Sequence, residues 1–289
     1  MVSQKTKLIA ITLVFFALTL CAWAKKPHQQ KILWIGNSYT MYNDLPDMVS
    51  AIAHEQGLTL LPTRFLKGGE HLSGHYANHQ LREALIKGGW DYVVIQEYST
   101  APAQSTREVI NDTYHYAHLL DSLAKVGSPQ THVIFYMTWA HKETNVHNSH
   151  MRDPAYPLDE NYTDFQNHLR LSYLEMTYEN RAWCSPVGMA WQTLRKQHPE
   201  IELYAKDNYH PSLAGSFLAA HCFVTTILQH KYKSKLQFKL PSIHANIIQQ
   251  TAQETVLNNK RILGLMRPLI YKYDNKSHTG KPRQAGVQN

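Results

Sequence analysis

Apolar runs alternate with helical patterns along most of this chain, and that alternation predicts a parallel α/β sheet. Ile32–Ile35 reads as a first strand. Leu45–Gln56 has helical spacing, with Asn43 or Asp44 as N-cap and Pro46 near the first helical position. Leu58–Phe65 reads as a second strand, and Pro62 within it predicts a sheet edge. A helix over Tyr76–Ile86 stops at Gly88-Gly89. Tyr92–Ile95 is short and β-branched, as a buried strand should be. Ile110–Val126 is helical and ends at Gly127; His132–Met137 is a fourth strand; Asn161–Glu179 is a long amphipathic helix. Ala182–Val187 is a fifth strand and Gly188–Gln197 a helix. Ser212 caps a helix through Leu228, and one more helical pattern runs from Ile243 to Leu265.

This layout has a chemical consequence. In an open parallel sheet, ligands sit beyond the carboxyl ends of the strands. Ser38 comes after strand one, Gly68-Gly69 after strand two, Gln96 and Glu97 after strand three, and Thr138 and Trp139 after strand four. Strand polarity brings all of them to one edge. The loop Asp207-Asn208-Tyr209-His210-Pro211 can reach the same edge.

Composition changes this picture mainly at the ends. Lys5 and Lys7 precede an apolar run from Leu8 to Trp23, and Ala22-Trp23-Ala24 has a small-x-small ending. That pattern predicts a signal peptide over residues 1–24 and an exported, periplasmic or secreted protein. An uncleaved anchor is the competing reading of the same run, and Cys21 raises lipidation, although Leu20 stands where a small residue is expected. The remaining chain of about 265 residues suits one sizeable domain, expected over 30–235, with a helical extension packing on it over 236–272 and a disordered basic tail over 273–289. Removing Lys5 and Lys7 trims the formal charge of +7 to about +5, and much of that sits in Lys272, Lys276, Lys281 and Arg283. Basic residues are not interleaved with aromatics on one face, so no nucleic-acid partner is expected. Any contact with a membrane would run through the N-terminal segment. Export would permit a disulfide between Cys184 and Cys222, but both lie in apolar stretches and read rather as buried small hydrophobes. The segment Ala140–Asp159 is long, His- and Asn-rich and aperiodic, and loops of that kind are often functional.

A serine hydroxyl needs a base to remove its proton as it attacks, and the base needs a group to orient it. Ser38 is the candidate nucleophile, His210 the candidate base and Asp207 the candidate acid. Asn208 and Pro211 favour a turn that folds Asp207 back onto His210. Asp-x-x-His alone says little in a chain with 18 histidines. Its placement at the opposite end of one α/β domain from a strand-terminal serine says more. Oxyanion donors are expected from the N–H of Ser38, the N–H of Gly69 and the side-chain amide of Gln96.

These segments resemble the SGNH (GDSL-type) hydrolase superfamily. Gly36-Asn37-Ser38-Tyr39 looks like its first block, Gly69 like the glycine of its second, and Asp207-Asn208-Tyr209-His210-Pro211 like its fifth. The third block departs: Val94-Ile95-Gln96-Glu97-Tyr98-Ser99 replaces Gly-x-Asn-Asp, a Gln-Glu variant similar to that of a bacterial subgroup of SGNH-like proteins. The resemblance spans about Ile32 to Leu228. It implies a three-layer, flavodoxin-like parallel sheet with helices on both faces. It also implies a serine esterase, without cofactor or metal, that removes an acyl group, acetyl among the candidates, from a carbohydrate. Asn37, Tyr39, Tyr98 and Trp139 are the expected substrate contacts. The alternative function is a non-catalytic carbohydrate- or envelope-binding protein on the same fold.

Two competitors fit less well. The Gly-x-Ser-x-Gly elbow of α/β-hydrolases would need a glycine where Thr40 stands. Glu70, His71, His75 and His79 recur at helical spacing, but Gly74 interrupts them and they read as a solvated face rather than a zinc site. His141, His147 and His150 read as surface or substrate-rim residues.

Overall fold

The alternation of apolar runs becomes five parallel strands in one sheet, ordered β2-β1-β3-β4-β5, in a computed structural model that describes residues 28–143 and 161–266. The strands are β1 (His28–Gly36), β2 (Leu58–Leu66), β3 (Tyr92–Ile95), β4 (His132–Tyr136) and β5 (Trp183–Ser185). The central strands are apolar on both faces because helices cover both, which is why they read as continuous runs rather than alternations. β2 lies at the edge, where Pro62 needs no second partner. Ile35 pairs with Phe65 and Ile95, Ile95 with Phe135, and Tyr136 with Ser185. This register levels the strand ends, so the residues after each strand emerge side by side.

The main helices are α1 (Ser38–Met41), α2 (Leu45–Glu55), α3 (Leu72–Ala77), α4 (His79–Lys87), α5 (His115–Gly127), α6 (Tyr162–Glu179), α7 (Val187–Gln197), α8 (Leu213–Leu228) and α9 (Ser242–Asn258). α2, α7, α8 and α9 pack together on one face of the sheet. α3, α4 and α5 form a group on the other, and α6 runs along β4 and β5. α8 is apolar nearly all round and buried nearly all round. Its Phe223 meets Trp34 of β1 and Tyr136 of β4 edge-on, each at 4.9 Å. Ala245, Ile248, Ala252 and Val256 of α9 cover its outer side and belong to the same core. Cys184 and Cys222 are free thiols in that core, and burial raises both, Cys184 to about 12. Among the described residues no helix is long and apolar enough to cross a membrane.

Several boundaries differ from expectation for local reasons. The helix expected over Tyr76–Ile86 is two helices, broken at Asn78, whose side chain caps α4 by accepting from Leu81 N–H. The helix expected from Ile110 begins with a capping box at Ser105 and Glu108, passes a π-helical turn over Val109–Tyr114, and only then becomes α5. The pattern from Ile243 to Leu265 is helical only to Asn258. Asp44 occupies the N-cap of α2, but its side chain makes no capping bond. Residues 1–27, 144–160 and 267–289 lie outside the described residues, and with them the expected signal segment, most of the long loop including His147 and His150, and the basic tail.

α4 and α5 end against each other. Gly88 caps α4 with φ +71°, and a Cβ there would stand 1.8 Å from the carbonyl oxygen of Gly127. Gly88→Ala should therefore lower stability by about 2–4 kcal/mol. The measurement is the urea midpoint at unchanged m-value.

Candidate active site

The serine is positioned by a turn that three buried side chains build. Asn37 is the N-cap of α1, its Oδ1 accepting from Tyr39 N–H at 3.2 Å. Ser38 is the first residue of α1, so its N–H has no acceptor within the helix. Gln96, at the end of β3, holds the turn from below. Its Oε1 accepts from Asn37 N–H at 2.9 Å and from the Thr40 hydroxyl at 2.9 Å. Its Nε2 donates to Asn37 Oδ1 at 2.9 Å and to Glu97 O at 2.5 Å. Gly36 is required by this packing: a Cβ there would lie 2.6 Å from Gln96 Oε1.

A second loop is tied to the same turn. Lys67 N–H donates to Gly36 O at 3.1 Å, and Asn37 Nδ2 to Glu70 O at 3.0 Å. Gly68 and Gly69 lie between these two tethers and are exposed. Gly69 has φ +69°, with open space where a Cβ would be. Buried Glu97 secures the start of α3 and the rim beside it. It accepts from Leu72 N–H and from Tyr98 N–H, with His71 Nδ1 at 3.5 Å. That carboxylate raises the His71 imidazole above its ordinary value, against a smaller effect of burial. Tyr98 stacks on His71 at 4.5 Å.

The acid and base sit on a hairpin-like loop closed by a bridge between Tyr204 and Pro211. Ala205 N–H donates to His210 O at 2.8 Å, and Asn208 turns the chain with φ 65°. Asp207 then folds back, its Oδ1 accepting from the N–H groups of Tyr209 at 3.1 Å and His210 at 3.0 Å. Its Oδ2 lies 2.7 Å from His210 Nδ1, and His210 Nε2 lies 2.8 Å from Ser38 Oγ. The loop is clamped from both sides. Trp139 Nε1 donates to Tyr209 O at 3.0 Å, and Asn43 Nδ2 donates to Ser212 O at 3.1 Å. Burial pushes the Asp207 carboxyl up, but the bonds from the His210 ring and the two N–H groups outweigh it and hold it below the ordinary carboxylate range.

The structure thus brings Ser38, His210 and Asp207 into one hydrogen-bonded line at the β1/β3 switch point, the position after the strand where the sheet order reverses. It moves other expected residues elsewhere. Gln96 is fully buried with both ends of its amide engaged, so it supports Asn37 and does not donate into the site. Asn37, Tyr39 and Trp139 are buried and cannot be surface contacts for a substrate. Trp139 is the middle of a parallel stack, 4.6 Å from Tyr39 and 4.0 Å from Trp191. Tyr98 stays half-buried at the rim. His75, expected on a solvated face, is buried with Nε2 at 3.0 Å from Gly36 O, and burial lowers its imidazole. His141, expected at the surface or the substrate rim, is buried against Phe165 and Tyr209.

Two residues of the site are not apparent from sequence patterns. Tyr42 lies on His210, and Asn43 anchors the serine-side turn to the histidine loop. The one signal for Tyr42 is spacing, since a residue four positions after Ser38 in a helical turn lies on the same side. Among the described residues no group of three or more His, Cys, Asp or Glu side chains is placed to hold a metal ion.

Comparison with protein-family models and with curated proteins finds no match. Solved structures do match. The chain is similar to a candidate SGNH hydrolase from Slackia heliotrinireducens, at 25% identity and a TM-score of 0.56 over 69% of this chain and 100% of that one. It is also similar to a DUF4886 family protein from Bacteroides uniformis, at 18% identity and a TM-score of 0.63 over 82% of this chain and 98% of that one.

The wiring of the site can be probed through stability. Gln96→Leu leaves Asn37 N–H and the Thr40 hydroxyl without an acceptor, and should cost about 2–4 kcal/mol, read as a lowered denaturation midpoint. Asp207 makes stability depend on pH. A carboxyl depressed in the folded state contributes stability above its unfolded pKa and loses it as pH falls through the folded value. Asp207→Asn should remove that share of the acid-side decline, seen in urea midpoints taken from about pH 6 to about pH 3.

Proposed function

We propose that this chain, a member of the SGNH/GDSL-like superfamily, is an exported serine ester hydrolase that removes an acyl group, acetyl among the candidates, from a carbohydrate. The observation that carries the reading is the line Ser38 Oγ–His210 Nε2 at 2.8 Å and His210 Nδ1–Asp207 Oδ2 at 2.7 Å. Ser38 Oγ attacks the acyl carbonyl while His210 Nε2 takes its proton. Asp207 holds the tautomer and stabilises the imidazolium. The oxyanion is met by the N–H of Ser38, free of any helical acceptor, and by the N–H of Gly69 on the tethered loop. His210 returns the proton to the leaving alcohol, and water, activated by the same imidazole, then releases the acid. Hydrolysis in this scheme needs no metal ion. The carbohydrate part of the reading draws support from the sequence resemblance and from Tyr98 and Tyr209, half-buried rings at the rim. Export is supported by the basic start and apolar run of residues 1–24.

Purified protein should release p-nitrophenol from p-nitrophenyl acetate and keep doing so in a chelator. Ser38→Ala and His210→Gln should each lower kcat by at least about 1,000-fold, and Asp207→Asn less. Equal turnover by Ser38→Ala sinks the assignment. Acetate release from a panel of acetylated polysaccharides identifies the ester.

A further inference from the structure

The ring of Tyr42 lies flat on the ring of His210, with centroids 4.1 Å apart and planes within 8°. Tyr42 is 37% exposed, so burial does not account for its placement. The backbone that presents it is unfavourable, because Asn43 (φ 54°) and Asp44 (φ 50°) are consecutive left-handed residues. Asn43 Nδ2 offsets this with donations to Ser216 Oγ at 2.8 Å, Ser212 O at 3.1 Å and Pro211 O at 3.4 Å. Ser216 Oγ in turn donates to Tyr42 O at 3.4 Å. The turn carrying Tyr42 is therefore fastened to the loop carrying His210.

The other groups facing this imidazole occupy different directions. Asp207 lies on Nδ1 and Ser38 on Nε2, both in line with ring nitrogens. Tyr209 lies at 4.2 Å with its plane tilted 41°, and Tyr39 meets the ring edge-on at 5.7 Å. Among these groups, Tyr42 is the one that covers a face in parallel. An aromatic face carries the negative part of a quadrupole and attracts a cation more than a neutral ring.

We propose that Tyr42 is a positioning residue that stabilises the imidazolium form of His210 through this stack. The inference rests on the Ser-His-Asp reading above. As the Ser38 Oγ–C bond forms, the carbonyl π pair moves to oxygen and the serine proton passes to Nε2. The ring then carries a positive charge between the Asp207 carboxylate and the face of Tyr42. When the leaving alcohol takes that proton, the ring is neutral again. The stack thus acts on the charged state more than on the resting state.

The test reads His210 in two ways. In NMR titrations of the full chain without substrate, His210 is identified by its loss in His210→Gln. Tyr42→Leu should lower its pKa by about half a unit to one unit, and Tyr42→Phe should restore most of the shift. With p-nitrophenyl acetate, Tyr42→Leu should lower kcat about 3- to 10-fold, leave KM within about two-fold, and move the acid limb of kcat/KM to lower pH. Replacing Tyr42 by pentafluorophenylalanine keeps the shape and reverses the quadrupole, and should reproduce the Leu effect in a folded protein. An unmoved His210 titration in both replacements overturns the proposal. So does a loss confined to KM with the acid limb fixed, which would make Tyr42 a substrate contact. If the wild type hydrolyses no ester, the esterase reading fails, while the NMR titration still decides the role of the stack.

Discussion

One buried indole joins the parts of this site that come from distant stretches of chain. Trp139 leaves β4 at the level of the other strand ends and lies between Tyr39, next to the serine, and Trp191 of α7. Its Nε1–H points the other way along the ring plane and holds the Tyr209 carbonyl, one residue before His210. Stacked pairs contribute about 0.5–1.5 kcal/mol each beyond their burial, and a buried N–H left unpaired costs about 1–3 kcal/mol. Any movement of the histidine loop away from the serine would break that bond or unstack the rings. The 2.8 Å between Ser38 and His210 is therefore a property of the core as much as of the surface.

The same division of labour explains the unusual third block. Gln96 and Glu97 both stand where ligand contacts belong in an open parallel sheet, yet both are spent on the frame. Gln96 saturates the turn before Ser38. Glu97 serves α3 and the rim pair His71–Tyr98. A glutamine is one methylene longer than an asparagine, and here that reach lets its amide pass beneath Asn37 and fill the space that Gly36 leaves open. Under the esterase reading proposed above, the oxyanion side then rests on backbone N–H groups, whose directions are fixed by the turns themselves.

Much of the fold is legible in the sequence because it depends on local signals. β-branched runs, Gly88, Pro62 and the cap Ser212 all act within a few residues of where they stand. Ser38 is legible because strand polarity puts strand-terminal residues on one edge, and Asp207 and His210 because Asn208 and Pro211 favour a turn that folds the acid back onto the ring. Local signals do not carry the direction of a side chain. Gln96, Trp139 and Tyr39 come after strands that end at the site, yet they face the core because partners far away in the chain face them there. Tyr42 is hidden for the converse reason. Its neighbours Asn43 and Asp44 read simply as helix caps, and Asp44 does occupy one, but together they also form a left-handed turn that Asn43 ties to α8 and the loop before it.

The hydroxyl of Ser38 and the imidazole of His210 are 172 positions apart along the chain. Four of the five strands and six of the nine named helices are laid down between them. A contact of such high sequence separation carries a large loop-closure entropy, which the shorter loops that it encloses reduce. During synthesis Ser38 emerges long before His210, and the two can meet only after the chain through the last strand has been made. The contact between this hydroxyl and this imidazole therefore depends on the whole of the intervening chain, and an incomplete chain lacks it.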